Sequence, residues 1–416
     1  MVSLSHMFSQ QLVVVQNQDW GLADGWSDRE VFNSPVSGFA GGGVESSKNV
    51  GEDFFKNLPD DLLEKIFSGL PIVYVYRAGA VCKRWHTVTT SKRFAGIYQQ
   101  RTASGPWYFM FKESRNGEGL VYDPLVKKWH DFTLPIRENS TWFAASSCGL
   151  VCFVDNSKGY VLYMCNLMTK SWTKLPEPHQ RWISDYYAVS ITVDKVSKAQ
   201  HALVARSNQL PNDYLRCCFA IESCDSVSCT WRTLLSTTLH GWRGGENSVI
   251  CNGIFYCVIH STAMLGNRDD ECRLGLLSYS LSEGKLEVGN MPMPCPLTCV
   301  KLINCNERLI MVGGIGKSDV VRGIGIWELG AQWKEISRMP NKFFRGFGEF
   351  DDVFSSSGAD HLIFIHAYGS PQLLLFNMQQ QSWRWSQKCP MVKKHPLHLF
   401  TGFCFEPSLY IRPWGS

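Results

Sequence analysis

Two hydrophobic rhythms divide the chain. Between residues 58 and 71 the apolar positions Leu58, Leu62, Leu63, Ile66, Phe67 and Leu70 recur at three- and four-residue intervals, the spacing of one amphipathic helix. Pro59 suits the first helical position, where its missing N–H has no intrahelical partner to lose. Asp60, Asp61 and Glu64 place negative charge near the positive end of the helix dipole. Gly69 is expected to stop the helix in a left-handed conformation, and Pro71 prevents its return. With Leu62 at zero, Ile66 falls at roughly 40°, Leu70 at roughly 80°, Leu63 at roughly 100° and Phe67 at roughly 140°. An arc that wide is more than one small helical neighbour covers. Further helices are predicted over residues 72–78 and 80–89, the second ended by the β-branched run Thr87-Val88-Thr89-Thr90. The resulting three-helix unit, within residues 52–98, is near the size below which a domain struggles to bury a sufficient core. Its apolar surplus is expected either to meet a partner or to pack on the rest of the chain.

Residues 1–51 carry no sustained periodicity. They are rich in Gly, Ser and Asp, end in Gly41-Gly42-Gly43, and read as a flexible extension.

From Pro106 the rhythm changes to short alternating runs with aromatics and regularly placed turn residues. Six units repeat, each with an apolar strand ending in a polar marker and then a turn, followed in all but the fourth by a Trp and in all but the third by a Pro. The markers are Asp123, Asn166, Ser223, Ser280, Glu328 and Asn377, spaced on average about 51 residues apart, near the kelch period of about 50. Trp129, Trp172 and Trp383 follow their markers by six residues, Trp231 by eight and Trp333 by five, while Leu286 takes the place in the fourth unit. Pro135, Pro176, Pro292, Pro340 and Pro390 come next. Asx and Gly residues at Asn252-Gly253 and at Asn304 and Asn306 mark hairpin turns before the marker strands. Four strands per unit in a repeated series predicts propeller blades, about six of them.

Closure follows from the ends. The first unit starts abruptly at Trp107-Tyr108-Phe109-Met110-Phe111 without an inner strand, and the last is followed by a surplus run over residues 400–405. Placing that run in the first blade completes it and removes two sheet edges.

Composition narrows the chemistry. The 416 residues carry a net charge of only +4, so neither nucleic-acid nor membrane-surface binding follows from charge. No apolar run reaches the length of a membrane span, and the first residues resemble neither a signal nor a transit peptide. Sixteen cysteines lie scattered without a C-x-x-C, most of them in apolar runs, which favours reduced thiols in an intracellular protein, nuclear or cytoplasmic, over a disulfide scaffold. Gly316-Lys317-Ser318 lacks the first glycine of a phosphate loop, and Gly323-Ile324-Gly325 lacks the third glycine of a dinucleotide fingerprint. All these glycines read as hairpin-turn residues. No catalytic residue, cofactor or metal site emerges. His260 and His366 occupy similar places in their units and suggest a metal pair, but no third ligand is apparent.

The segments Leu58-Pro59, Leu62-Leu63, Ile66-Phe67, Leu70-Pro71 and Val81-Cys82-Lys83-Arg84-Trp85 resemble an F-box, and with the repeats behind it the chain resembles the plant F-box/kelch-repeat proteins. It is most similar to their HAWAIIAN SKIRT type, through Arg77-Ala78-Gly79, Trp107 to Phe111, Ser147-Cys148-Gly149-Leu150-Val151-Cys152-Phe153, Gly241-Trp242-Arg243-Gly244-Gly245 and Gly346-Phe347-Gly348-Glu349-Phe350. The resemblance implies an α+β multidomain fold. A three-helix F-box precedes an all-β kelch-type propeller over residues 106–413, closed by the C-terminal strand. It also implies a non-catalytic substrate receptor of a Skp–cullin–F-box ubiquitin ligase that acts in plant development. The F-box would dock on a Skp-family adaptor, and through it a cullin, by Leu58, Pro59, Leu62, Leu63, Ile66, Leu70, Pro71, Val81, Cys82 and Trp85. Trp85 is equally suited to be an anchor or internal core.

The target protein would bind the propeller. In a four-stranded blade the second-to-third-strand loops and the blade-to-blade loops share one face, which is expected to gather Arg181, Trp182, Trp242, Arg243, Arg268, Lys317, Arg345, Phe347, Lys393 and Lys394. Their basic balance suits an acidic or phosphorylated segment. Two other classes stay open: a propeller scaffold working without the ligase, and a copper-dependent oxidase of the kelch fold.

Overall fold

The computed structural model describes residues 58–101, 105–112, 117–135, 141–155, 157, 160–178, 183–194, 197–262, 273–317, 320–345, 347, 354–391 and 401–414. The chain forms two compact units, Met1–Ala103 and Ser104–Ser416. The expected extension over residues 1–51 lies outside the described residues.

The described part of the first unit is helical: α1 (Asp60–Phe67), α2 (Ile72–Gly79), α3 (Lys83–Thr90) and α4 (Lys92–Arg101). Pro59 sits just outside α1 rather than at its first position, and its carbonyl accepts the N–H groups of Leu62 and Leu63 at 3.0 and 3.1 Å. Gly69 does not take the left-handed stop. The last turn tightens instead: Gly69 N–H donates to the Ile66 carbonyl at 3.1 Å and Ser68 Oγ to that of Lys65 at 2.9 Å. Extended Pro71 then opens α2. The fourth helix was not anticipated beside the three expected. Ser91 Oγ accepts the Phe94 N–H at 3.0 Å as an N-cap, and Phe94, Ala95 and Tyr98 are buried.

The second unit contains six four-stranded antiparallel sheets, the blades of a propeller. Blade 1 holds β1 (Trp107–Phe111), β2 (Glu118–Asp123) and β3 (Lys128–Thr133), with β24 (Gly402–Phe405) as its inner strand. Blade 2 is β4 (Thr141–Ser147), β5 (Leu150–Asp155), β6 (Val161–Asn166) and β7 (Ser171–Lys174). Blade 3 is β8 (Tyr186–Val193), β9 (Gln200–Leu210), β10 (Asp213–Asp225) and β11 (Trp231–His240). Blade 4 is β12 (Trp242–Cys251), β13 (Ile254–Ser261), β14 (Leu274–Ser280) and β15 (Leu286–Val288). Blade 5 is β16 (Leu297–Asn304), β17 (Leu309–Lys317), β18 (Val320–Leu329) and β19 (Trp333–Arg338), followed by the short helix α5 (Asn341–Phe344). Blade 6 is β20 (Phe354–Ala359), β21 (Leu362–Ala367), β22 (Leu374–Asn377) and β23 (Ser382–Trp385). The first strands touch one another in the order β24, β4, β8, β12, β16, β20 and back to β24, so the ring is closed.

Closure is as the ends of the chain predict. Trp107, Tyr108, Phe109 and Met110 pair with Phe405, Cys404, Phe403 and Gly402. The Phe403 ring stacks on Phe143 of blade 2 at 4.4 Å, which ties the last strand into its neighbour as well. Beyond β24 the tail continues as a strap. Glu406 Oε2 accepts the Cys148 N–H at 2.7 Å; Asn166 Nδ2 donates to the carbonyls of Ser408 and Ile411; Gln200 Nε2 donates to that of Arg412 at 2.6 Å. The strap thus fastens blades 2 and 3 on the face opposite the second-to-third-strand loops.

The repeat has a physical core. The outer-strand Trp pairs with the residue just before the marker: Tyr122 with Trp129, Cys165 with Trp172, Cys224 with Trp231, Phe376 with Trp383, and Tyr279 with Leu286 in the Trp-less unit. This register corrects two markers. In blade 3 the position belongs to Asp225, not Ser223; Asp225 lies six residues before Trp231, and Oδ1 accepts the N–H groups of Val227 and Ser228 at 2.9 and 2.7 Å. Asp123, Asn166 and Asn377 cap their turns in the same way. In blade 5 the turn is shorter, Leu329 faces Trp333, and Glu328 is instead forked by Arg308 at 2.6 and 2.7 Å. Gly323 and Gly325 lie inside β18 rather than at a hairpin turn. A Cβ on Gly325 would come within 2.2 Å of the Trp327 ring, so the glycine makes room for that indole.

Candidate docking surfaces

The helical unit answers where its apolar surplus goes. Leu63 and Phe67 point inward and are buried, while Leu62 and Ile66, on the other side of the arc of α1, are 43% and 46% exposed. Each inward side chain contributes roughly 1.5–3 kcal/mol by leaving water, and the outward pair offers a similar amount to whatever covers it. Val81 is 64% exposed, Pro59 and Cys82 are exposed, and Leu58, Leu70 and Pro71 are half-buried. Of the ten residues expected on the adaptor face, Leu63 alone is fully interior: it belongs to the core, because its angular position turns it toward the other helices.

Trp85 takes part in both readings. Its ring edge meets Phe67 at 4.9 Å, yet the residue stays half-exposed. The basic residue before it does work the sequence did not disclose. Arg84 pairs with Asp60 at 2.7 Å and donates to the Leu58 carbonyl, so α3 holds the start of α1 in place. Arg93 of α4 bridges Asp61 at 2.8 Å and Glu64 at 3.2 Å. The pairs to Asp60 and Asp61 are largely exposed and each adds about 0.2–1 kcal/mol, whereas Glu64 is buried; together the three orient α1. Cys82 caps α3 by accepting the Trp85 N–H on Sγ at 3.5 Å.

On the propeller, Trp242 and Arg243 open β12, Lys317 ends β17, and Arg345 and Phe347 follow α5. All belong to the ends and connections of the second-to-third-strand face. Arg181, Trp182, Arg268, Lys393 and Lys394 lie outside the described residues. Phe347 is not available for contact. It is buried and stacks on Trp385 at 6.0 Å, closing the core between blades 5 and 6. Trp242 is half-buried and packs over Gly275 and Gly289 of its own blade. Arg243 and Lys317 remain at the surface, Arg243 half-buried and Lys317 exposed.

His260 and His366 do end equivalent second strands, but their surroundings differ. His366 is fully buried, with Nε2 donating to the Ser370 carbonyl at 2.9 Å and Nδ1 accepting from the Tyr108 hydroxyl at 3.2 Å. His260 lies among cations: burial first, then Arg243 and Lys301, pushes its pKa down to about 4. Among the described residues no group of three or more His, Cys, Asp or Glu side chains is arranged to hold a metal. The described cysteines are free thiols, and burial pushes Cys152, Cys224, Cys251 and Cys257 up to about 12.

Comparison with known proteins agrees with this division. Residues 55–95 match the F-box domain model, and residues 121–361 match the KIB1-4 beta-propeller model. An F-box/kelch-repeat protein of Arabidopsis thaliana is 48% identical over 369 residues, covering 86% of this chain and 90% of the relative. F-box only protein 6 of Arabidopsis thaliana is 28% identical, over 88% of this chain and 76% of that one. SKP1-interacting partner 15 of Arabidopsis thaliana is 24% identical, over 86% and 98% respectively.

Proposed function

The chain belongs to the plant F-box proteins that carry a β-propeller, and on that premise we propose that it is a substrate receptor of a Skp–cullin–F-box ubiquitin ligase. The helical unit docks on a Skp-family adaptor through Leu58, Pro59, Leu62, Ile66, Leu70, Pro71, Val81, Cys82 and Trp85. The propeller holds the protein to be ubiquitinated. The observation that carries this reading is the split arc of α1, which buries Leu63 and Phe67 and leaves Leu62 and Ile66 on the outside. A relative named for its interaction with SKP1 supports the same partner. In this role the chain performs no bond chemistry. It raises the local concentration of target beside a charged conjugating enzyme brought through the cullin.

The finer placement, in the HAWAIIAN SKIRT type with a role in plant development, rests on the motifs from Arg77 to Phe350 quoted above. The thiol state of the described cysteines is in keeping with work in the nucleus or cytoplasm. The test is co-purification of the full chain with a plant Skp-family adaptor. Leu62→Asp with Ile66→Asp is expected to abolish capture without lowering the melting temperature of the propeller. Undiminished capture by that variant would overturn the assignment of the docking face.

A further inference from the structure

At the corner where blades 3 and 4 meet, one guanidinium is held in place by an aromatic ring. Arg243 lies over the Tyr186 ring at 4.1 Å from its centre and is the register partner of His260. No carboxylate among the described residues pairs with it. The neighbouring arginines of blade 3 are neutralised: Arg206 by Glu222 at 2.6 Å and Arg216 by Asp213. Lys301, on the adjacent inner strand β16, adds a second positive charge that reaches the His260 ring, and that ring is uncharged at neutral pH. Glu246 stands further along β12, exposed and paired with neither cation.

Beside the arginine is an apolar shoulder. Strands β9 and β10 run 11 and 13 residues, longer than any other strand of the propeller, and Tyr214 and Leu215 near their turn are 64% and 54% exposed. The Leu215 carbonyl accepts the Gly241 N–H at 2.7 Å and the Thr262 hydroxyl at 3.4 Å. These bonds pin the shoulder to the corner that leads directly into Trp242 and Arg243.

We propose that this corner binds a peptide segment in which an acidic group, a carboxylate or a phosphate, stands beside a bulky apolar residue. Arg243 takes the acidic group, and Leu215 with Tyr214 takes the apolar one. The guanidinium fork matches either anion with two parallel hydrogen bonds, and stacking on Tyr186 orders it before the ligand arrives. Assigning the segment to a ubiquitination target rests on the receptor reading above.

The test is selection of a random-peptide display library on the full chain in complex with its adaptor, followed by synthetic peptides and their phosphoserine versions. The retained pool is expected to carry Asp or Glu at a fixed spacing from Leu, Ile or Phe. Binding of a selected peptide is expected to weaken with salt. It is expected to weaken at least about tenfold, about 1.4 kcal/mol, in Arg243→Gln. Arg243→Lys restores part of it, and Leu215→Ser weakens it independently. Whichever of carboxylate or phosphoserine binds tighter in an Arg243-dependent way is the group read there. A pool without a fixed acidic position, one retained equally by Arg243→Gln, or no retained pool at all overturns the proposal. Adaptor capture in the same preparations separates the two readings. Capture without an acidic pool defeats this site alone, and an acidic pool without capture defeats the receptor role alone.

Discussion

The indole N–H of Trp231, on the outer strand of blade 3, donates to the carbonyl of Pro176 at 2.7 Å, in the segment leaving blade 2. The same link to the preceding blade recurs from Trp129 to Gln387 at 2.9 Å and from Trp383 to Ser337 at 3.0 Å. In blade 4, where Leu286 replaces the Trp, the Tyr279 hydroxyl reaches the Leu234 carbonyl of blade 3 at 3.2 Å instead. Trp129, Trp231 and Trp383 therefore clamp successive blades, with a repeat proline as acceptor only at Pro176, whereas Trp333 Nε1 is buried without a partner; Trp129 joins blade 1 to the segment leaving blade 6.

Trp231→Phe keeps most of the apolar contact and removes the clamp. It is expected to cost about 1–3 kcal/mol, because a part-buried carbonyl loses its donor. Urea unfolding followed by fluorescence of the other tryptophans measures it.

Leu63→Ala is expected to destabilise the helical unit by about 2–5 kcal/mol, since the side chain is fully buried. Arg84→Ala is expected to cost less than about 1 kcal/mol in stability while weakening adaptor capture, because it frees the start of α1. Circular dichroism melts compared with capture assays separate the two effects.

Removal of residues 401–416 takes away β24 and the strap together. It leaves the edge of β1 unpaired and exposes Phe109 and Phe143, so aggregation at temperatures that the full chain tolerates is expected. Asn166→Ala keeps β24 paired but removes the strap bonds to Ser408 and Ile411 together with the turn cap to Met168 and Thr169, and is expected to cost at least about 1–3 kcal/mol without aggregation. Light scattering during thermal ramps distinguishes them.

His260 makes propeller stability depend on pH. Its folded-state pKa, about 4, lies below the ordinary value of 6.5, so the unfolded chain takes up the proton first as the pH falls. The contribution of the neutral ring is complete above pH 6.5 and is lost progressively down to about pH 4. His260→Gln is expected to flatten the decline of the melting temperature over that window, measured against the parent chain in matched buffers.

Local pattern was enough for much of this protein. The i, i+3, i+4 spacing of Leu58 to Leu70, the unit length of the repeat and the unpaired run at each end predict an amphipathic helix, six blades and their closure. Each of these follows from periodicity or from the cost of an open sheet edge, properties that neighbouring residues carry by themselves. The fourth helix was legible too, in Ser91 followed by Phe94 and Tyr98, although the β-branched run before it masked the signal. Tertiary structure decided the rest. Whether Leu62 or Leu63 faces outward, that Phe347 is core, that Asp225 and not Ser223 holds the third turn, and that Arg243 lies over Tyr186 with no carboxylate partner among the described residues all depend on packing between segments that the sequence pattern does not bring together. Periodicity assigns a residue to a face, but only the neighbours brought to that face settle whether it is covered, paired or left open to a ligand.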